Sequence, residues 1–145
     1  MMKKQKAEII QLLKQKQESC SRLLQKVEEQ MELVNLQDES RLLGVVEAKE
    51  TMVDQLNEID RKIAEEVSSL NEATRKALVR EGAELARCIE NDLEKIIAIE
   101  TVCQQKIDQV KTEVVEKIME LKKGQVLLKG YGVSPRVKSK ISKNV

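Results

Sequence analysis

Histidine, phenylalanine and tryptophan are absent from this chain of 145 residues, and tyrosine and proline occur once each. Without an imidazole there is no His-based catalytic triad, no His-ligated zinc or iron, and no general base poised near neutrality without help. Without aromatic volume the expected core is Leu, Ile, Val and Met packed between helices, not the interior of a small α/β enzyme. Cysteine is scarce as well. Cys20, Cys88 and Cys103 are odd in number, widely spaced and form no C-x-x-C pair, so neither a disulfide framework nor a metal site is expected. Each falls at or beside an apolar position, where a free thiol acts as a small hydrophobe in a reduced, cytoplasmic setting. Long apolar runs are missing too. No stretch approaches the ~20 residues of a membrane span, and the basic start Met1 to Lys6 leads into Ala7-Glu8-Ile9-Ile10-Gln11, which is no signal sequence. The expectation is a soluble cytoplasmic protein with no membrane insertion.

What remains is charge and aliphatic side chains. Charged residues make up 35% of the chain, and with five glycines and one proline this is the mixture of a single domain of long helices. The net charge of +1 excludes both a polyanion mimic and a broad nucleic-acid binder. Lys129, Arg136, Lys138, Lys140 and Lys143 gather in a terminal stretch without an acid. Such a tail could meet nucleic acid or an anionic surface, but a solvated terminus is the simpler reading, and no nucleic-acid partner is expected. Glu28/Glu29 and Glu65/Glu66 sit on solvated faces, and no Gly-rich phosphate loop or metal-ligand spacing occurs. Catalytic residues and cofactors are therefore not expected.

The apolar residues recur with helical spacing. Ile10, Leu13, Gln17, Cys20, Leu24, Val27, Met31 and Val34 alternate gaps of three and four, with Leu12, Leu23 and Leu33 widening the seam. The polar cluster from Asn35 to Ser40 predicts a tight reversal, with Asn35 or Asp38 capping the next helix. A second helix, about Glu39 to Val67, carries two overlapping seams, Leu42/Val46/Lys49/Val53/Leu56/Asp60/Ile63/Val67 and Val45/Lys49/Met52/Leu56/Ile59/Ile63, as a helix between two neighbours requires. Lys49 lies in both: its stem covers apolar surface with the ammonium in water, or it meets a carboxylate that fixes helix register. Glu58 and Lys62 are spaced as a stabilising pair.

Ser69 and Glu72 have the spacing of a capping box. From there Leu78, Leu85, Ile89, Leu93 and Ile96 lead into Cys103, Ile107, Val110, Val114, Ile118 and Leu121, with stutters at Leu85/Ile89/Leu93 and Val110/Val114/Ile118. Gly82 is the one internal weak point, where a kink or break is expected between Thr74 and Gly82. Lys122-Lys123-Gly124 has the features of a helix end. Unbroken to that point, the last helix would be about 80 Å long, more than its companions could cover, and an uncovered apolar stripe on a protein is a binding surface. The fold expected is all-α: an elongated antiparallel bundle or coiled coil of three long helices, one domain over 1–132, followed by a flexible, disordered basic tail over 133–145.

The seam around Lys49, Met52-Val53 and Leu56, the run Met119-Glu120-Leu121-Lys122-Lys123-Gly124, and Leu128-Lys129-Gly130-Tyr131-Gly132 resemble the FlgN family of flagellar export chaperones. FliT-type relatives fit the helix pattern equally. The chain departs from the family at Glu100 to Val102, where asparagines are usual. The resemblance implies a small helical cytoplasmic protein that grips an amphipathic terminal helix of hook-associated (hook–filament junction) proteins and delivers them to the flagellar type III export gate. The client helix would lie on Ile107, Val110, Val114, Ile118 and Leu121. Val126, Leu128 and Tyr131 would form the docking handle for the export apparatus. A homodimeric coiled-coil scaffold without a client would show the same heptads and is the alternative.

Overall fold

A computed structural model describes residues 2–129, with side chains over 3–123. All regular structure among these residues is helical: α1 Met2–Leu36, α2 Glu39–Ser68, α3 Glu72–Glu81 and α4 Ala83–Lys129. The chain divides into two units, Met1–Cys103 and Gln104–Val145. The basic tail expected over 133–145 lies outside the described residues.

In the first unit α1 meets α2 after a reversal at Gln37, whose φ of 54° is the one positive value at a non-glycine residue among those described. Gln37 N–H donates to the Val34 carbonyl and Asp38 N–H to that of Leu33, the paired bonds that satisfy free carbonyls at a helix end. Asp38 then caps α2, its carboxylate accepting the Arg41 N–H. Lys16 pairs with Asp60 at 2.7 Å and Lys49 reaches Gln30, so α1 and α2 run antiparallel. Lys6 pairs with Glu81 at the end of α3, Leu13 of α1 lies beside Ala86 and Ile89 of α4, and Gln30 meets Glu100, so α1 and the first-unit part of α4 run in the same direction.

The core is aliphatic and sulfur-containing. Cys20, Leu23 and Val27 of α1, Leu56 of α2, and Ile89 and Ile96 of α4 form one buried cluster, flanked by Leu13, Leu24, Met52, Leu93 and Ile99. Ile9, Leu70 and Leu78 form a second where α3 meets α1. Burying side chains of this size contributes about 1.5–3 kcal/mol each. The two seams of α2 are not equal. Val45 and Leu56 are buried, whereas Val53 and Asp60 are exposed, so the seam through Val45, Met52, Leu56 and Ile59 faces inward.

Three local expectations are corrected. Ser69 is not half of a capping box: it ends α2, its hydroxyl donating to the Glu66 carbonyl, and Asn71, in extended conformation, caps α3 by accepting the Thr74 N–H at 2.8 Å. Glu58 pairs with Arg61, not Lys62. Arg61 also reaches Glu65, and its hydrogen bond holds the Glu58 carboxyl below its usual range, on a surface fully open to solvent. Finally, α4 continues through Lys122-Lys123-Gly124 to Lys129. A glycine within a helix costs only about 1 kcal/mol, too little by itself to end one.

The break expected near Gly82 is present and spans that one residue. Its N–H still donates to the Leu78 carbonyl and its carbonyl accepts from Ala86, so the hydrogen-bond ladder crosses the joint although φ −90° and ψ 0° depart from helix values. A Cβ here would lie 3.1 Å from the Leu78 oxygen and 3.2 Å from Leu13 Cδ1. Gly44, inside α2, has open space at the same place.

Gly44→Ala is therefore expected to raise the urea unfolding free energy by ~0.5–1 kcal/mol, and Gly82→Ala to give no such gain. Burial raises the Cys20 pKa, with Asp92 and Asp60 adding to the rise and Lys16 opposing it. As pH climbs past the ordinary thiol value near 9.0, the unfolded thiol ionises first, so stability present below that pH is lost above it. In native protein a thiol reagent should label half-buried Cys88 first, and buried Cys20 and Cys103 only on unfolding, as peptide mass mapping can check.

Candidate partner-binding surface

Two places in the molecule depart from simple apolar packing. The first lies in the first unit, where Gln30 of α1, Lys49 of α2 and Glu100 of α4 form a closed triangle. Lys49 Nζ donates to Gln30 Oε1 at 2.8 Å and to Glu100 Oε2 at 2.8 Å, and Gln30 Nε2 donates to Glu100 Oε1 at 2.6 Å. Gln30 is the one buried polar residue among those described, and no buried side-chain polar atom there lacks a partner. Of the two roles open to Lys49, the carboxylate partner is the one observed. The arrangement saturates its own groups, with no buried side-chain polar atom among the described residues lacking a partner. Its chemistry is cohesion between three helices.

Each member has a legible position. Gln30 falls seven residues after Leu23, and Glu100 fills the seam place between Ile96 and Cys103. Neither was singled out as a partner for Lys49, because a polar residue in a seam reads the same whether it pairs inward or reaches water.

The second place is the stretch of α4 in the second unit. Buried residues recur on α4 every seven positions, at Ile89, Ile96 and Cys103, where the Cys103 thiol lies 3.7 Å from the Met31 sulfur. Past Cys103 no described side chain is buried. Ile107, Val110 and Ile118 are half-buried, while Val114 is 50% and Leu121 56% exposed. These five residues share one face, a stripe roughly 80° wide at about 100° per residue. Met119, 59% exposed, stands off this face. Val126 and Leu128 continue on the α4 backbone, but their side chains, and all of Tyr131, lie outside the described residues.

The sequence did not mark a shallow groove in the first unit, between α1 and α4, lined by Leu13, Ile89, Leu93 and Ile97 with Lys16, Glu90 and Glu94 at its edges. Ile97, 64% exposed, is its open wall. The available signal was the doublet Ile96-Ile97, one residue facing in and its neighbour out. Among the described residues there is no group of three or more His, Cys, Asp or Glu able to hold a metal ion, and no helix long and apolar enough to cross a membrane. The chain matches no family model, no curated protein and no solved structure.

Because Lys49 is shared by two acceptors, removing it leaves Gln30 Oε1 and Glu100 Oε2 without their donor, although Gln30 Nε2 still bonds to Glu100 Oε1. Lys49→Ala and Glu100→Ala should each lose ~1–2 kcal/mol in urea titrations, and the double variant clearly less than the sum of the two.

Proposed function

We propose that the chain captures an amphipathic helix of another protein on the second-unit face of α4, acting as a chaperone of the flagellar export type. The observation that carries this reading is the stripe Ile107, Val110, Val114, Ile118 and Leu121, apolar over four helical turns with no buried member. An amphipathic helix gains little from propensity alone; its stability in a protein comes from packing its apolar face. A client helix laid on the stripe would complete that packing in the helix-in-groove manner.

The resemblance to the FlgN family supplies the finer identity: a cytoplasmic chaperone for hook-associated proteins, working toward the export gate, with an elongated coiled-coil frame of three long helices behind the client surface. Val126, Leu128 and Tyr131 remain the proposed handle for the export apparatus. Glu100, where the chain departs from the family, is engaged with Gln30 and Lys49, which supports placing the client surface beyond Cys103.

Co-purification with C-terminal fragments of hook-associated proteins tests the reading. Val114→Asp with Ile118→Asp is expected to abolish capture while circular dichroism shows helicity unchanged. A client retained by that double variant would exclude the stripe as its seat.

A further inference from the structure

The edges of the stripe carry one sign of charge. At about 100° per residue, Lys111 and Lys122 stand beside Ile118 on one edge, and Lys117 stands beside Val110 on the other, each within roughly 40° of the apolar face. Lys106 continues the second edge toward the start of the unit. The acids Asp108, Glu113, Glu116 and Glu120 stand farther round the helix. Lys111, Lys117 and Lys122 are all exposed. Positions flanking an apolar seam are those that choose a partner helix by charge.

We propose that the helix received on this face carries acidic residues on both flanks of its apolar seam, matched to Lys111, Lys117 and Lys122. This deepens the helix-capture reading and rests on it. A second copy of the chain is a poor occupant, since two such faces in either direction set lysine edge against lysine edge. An anionic bilayer is also disfavoured. The stripe is narrow and rich in Val and Ile, with no aromatic residue, and from Gln104 to Lys123 five lysines are nearly balanced by four acids. Helices that lie in a bilayer interface have a broad apolar face and a strongly basic polar one.

The test uses the full chain and synthetic amphipathic peptides about four heptads long, with one Ile/Leu seam and flanks that are all Glu, all Gln or all Lys. Each exposed flank pair contributes roughly a twofold effect, so the Glu peptide should bind about tenfold more tightly than the Gln peptide, and the Lys peptide least. Raising salt from about 0.05 to about 0.5 M should shrink the preference. Lys111→Glu/Lys117→Glu/Lys122→Glu should reverse it; should that variant lose helicity, the three-peptide order and its salt dependence in the unaltered chain decide alone. Equal binding of all three peptides, abolished by Val114→Asp/Ile118→Asp, would overturn charge selection and leave helix capture standing. Failure to bind any of the three would remove both. Binding to anionic phosphatidylglycerol vesicles with the Glu peptide ignored, or a stable homodimer dissolved by the charge reversal, would overturn the proposal in favour of a membrane or a second copy.

Discussion

Cohesion in the first unit depends on helix register. With no aromatic ring to span a gap, the core is assembled from Cys20, Leu23, Val27, Leu56, Ile89 and Ile96, whose short side chains reach one another only when the helices are set at matching levels. The triangle of Gln30, Lys49 and Glu100 supplies that setting. A one-turn slip of any helix would strip a charged group of its partner in a partly buried place, a penalty added to that of mismatched aliphatic surfaces. Lys6 with Glu81 and Lys16 with Asp60 mark two further levels, at the exposed edges where each contributes little by itself.

The same α4 that presents Ile89, Ile96 and Cys103 to this core presents Val114 and Leu121 to solvent farther along. The spacing of seven that serves the bundle reaches Val110 and then falls on Lys117, while the apolar residues move on to Val114 and Ile118. The sequence of α4 thus carries two apolar patterns, one buried in the first unit and one with no buried member among the described residues of the second.

Much of this was legible beforehand. The aliphatic seams, the reversal near Asp38, the break at Gly82 and the stripe on α4 all follow from spacing and from the properties of single residues. The boundary between α2 and α3 was misjudged because Ser69 and Asn71 are both good caps, and only the course of the chain decides which turns outward. Gly124 does not end α4 because its cost within a helix is only about 1 kcal/mol. Gln30 and Glu100 escaped notice for a different reason. Their meeting with Lys49 joins three helices, and periodicity along one helix carries no information about levels across others. Val126, Leu128 and Tyr131 stay as the sequence left them.

The absence of buried side chains from Gln104 to Lys123 bears on backbone exchange with solvent. Amide protons between Gln104 and Lys123 lie on a stretch whose side chains are all exposed or half-buried, so fraying of a turn or two releases them at lower cost than opening the first-unit core. Those beside Val27, Leu56 and Ile96 open only when the interlocked helices part. In deuterated water the one chain should therefore keep two clocks.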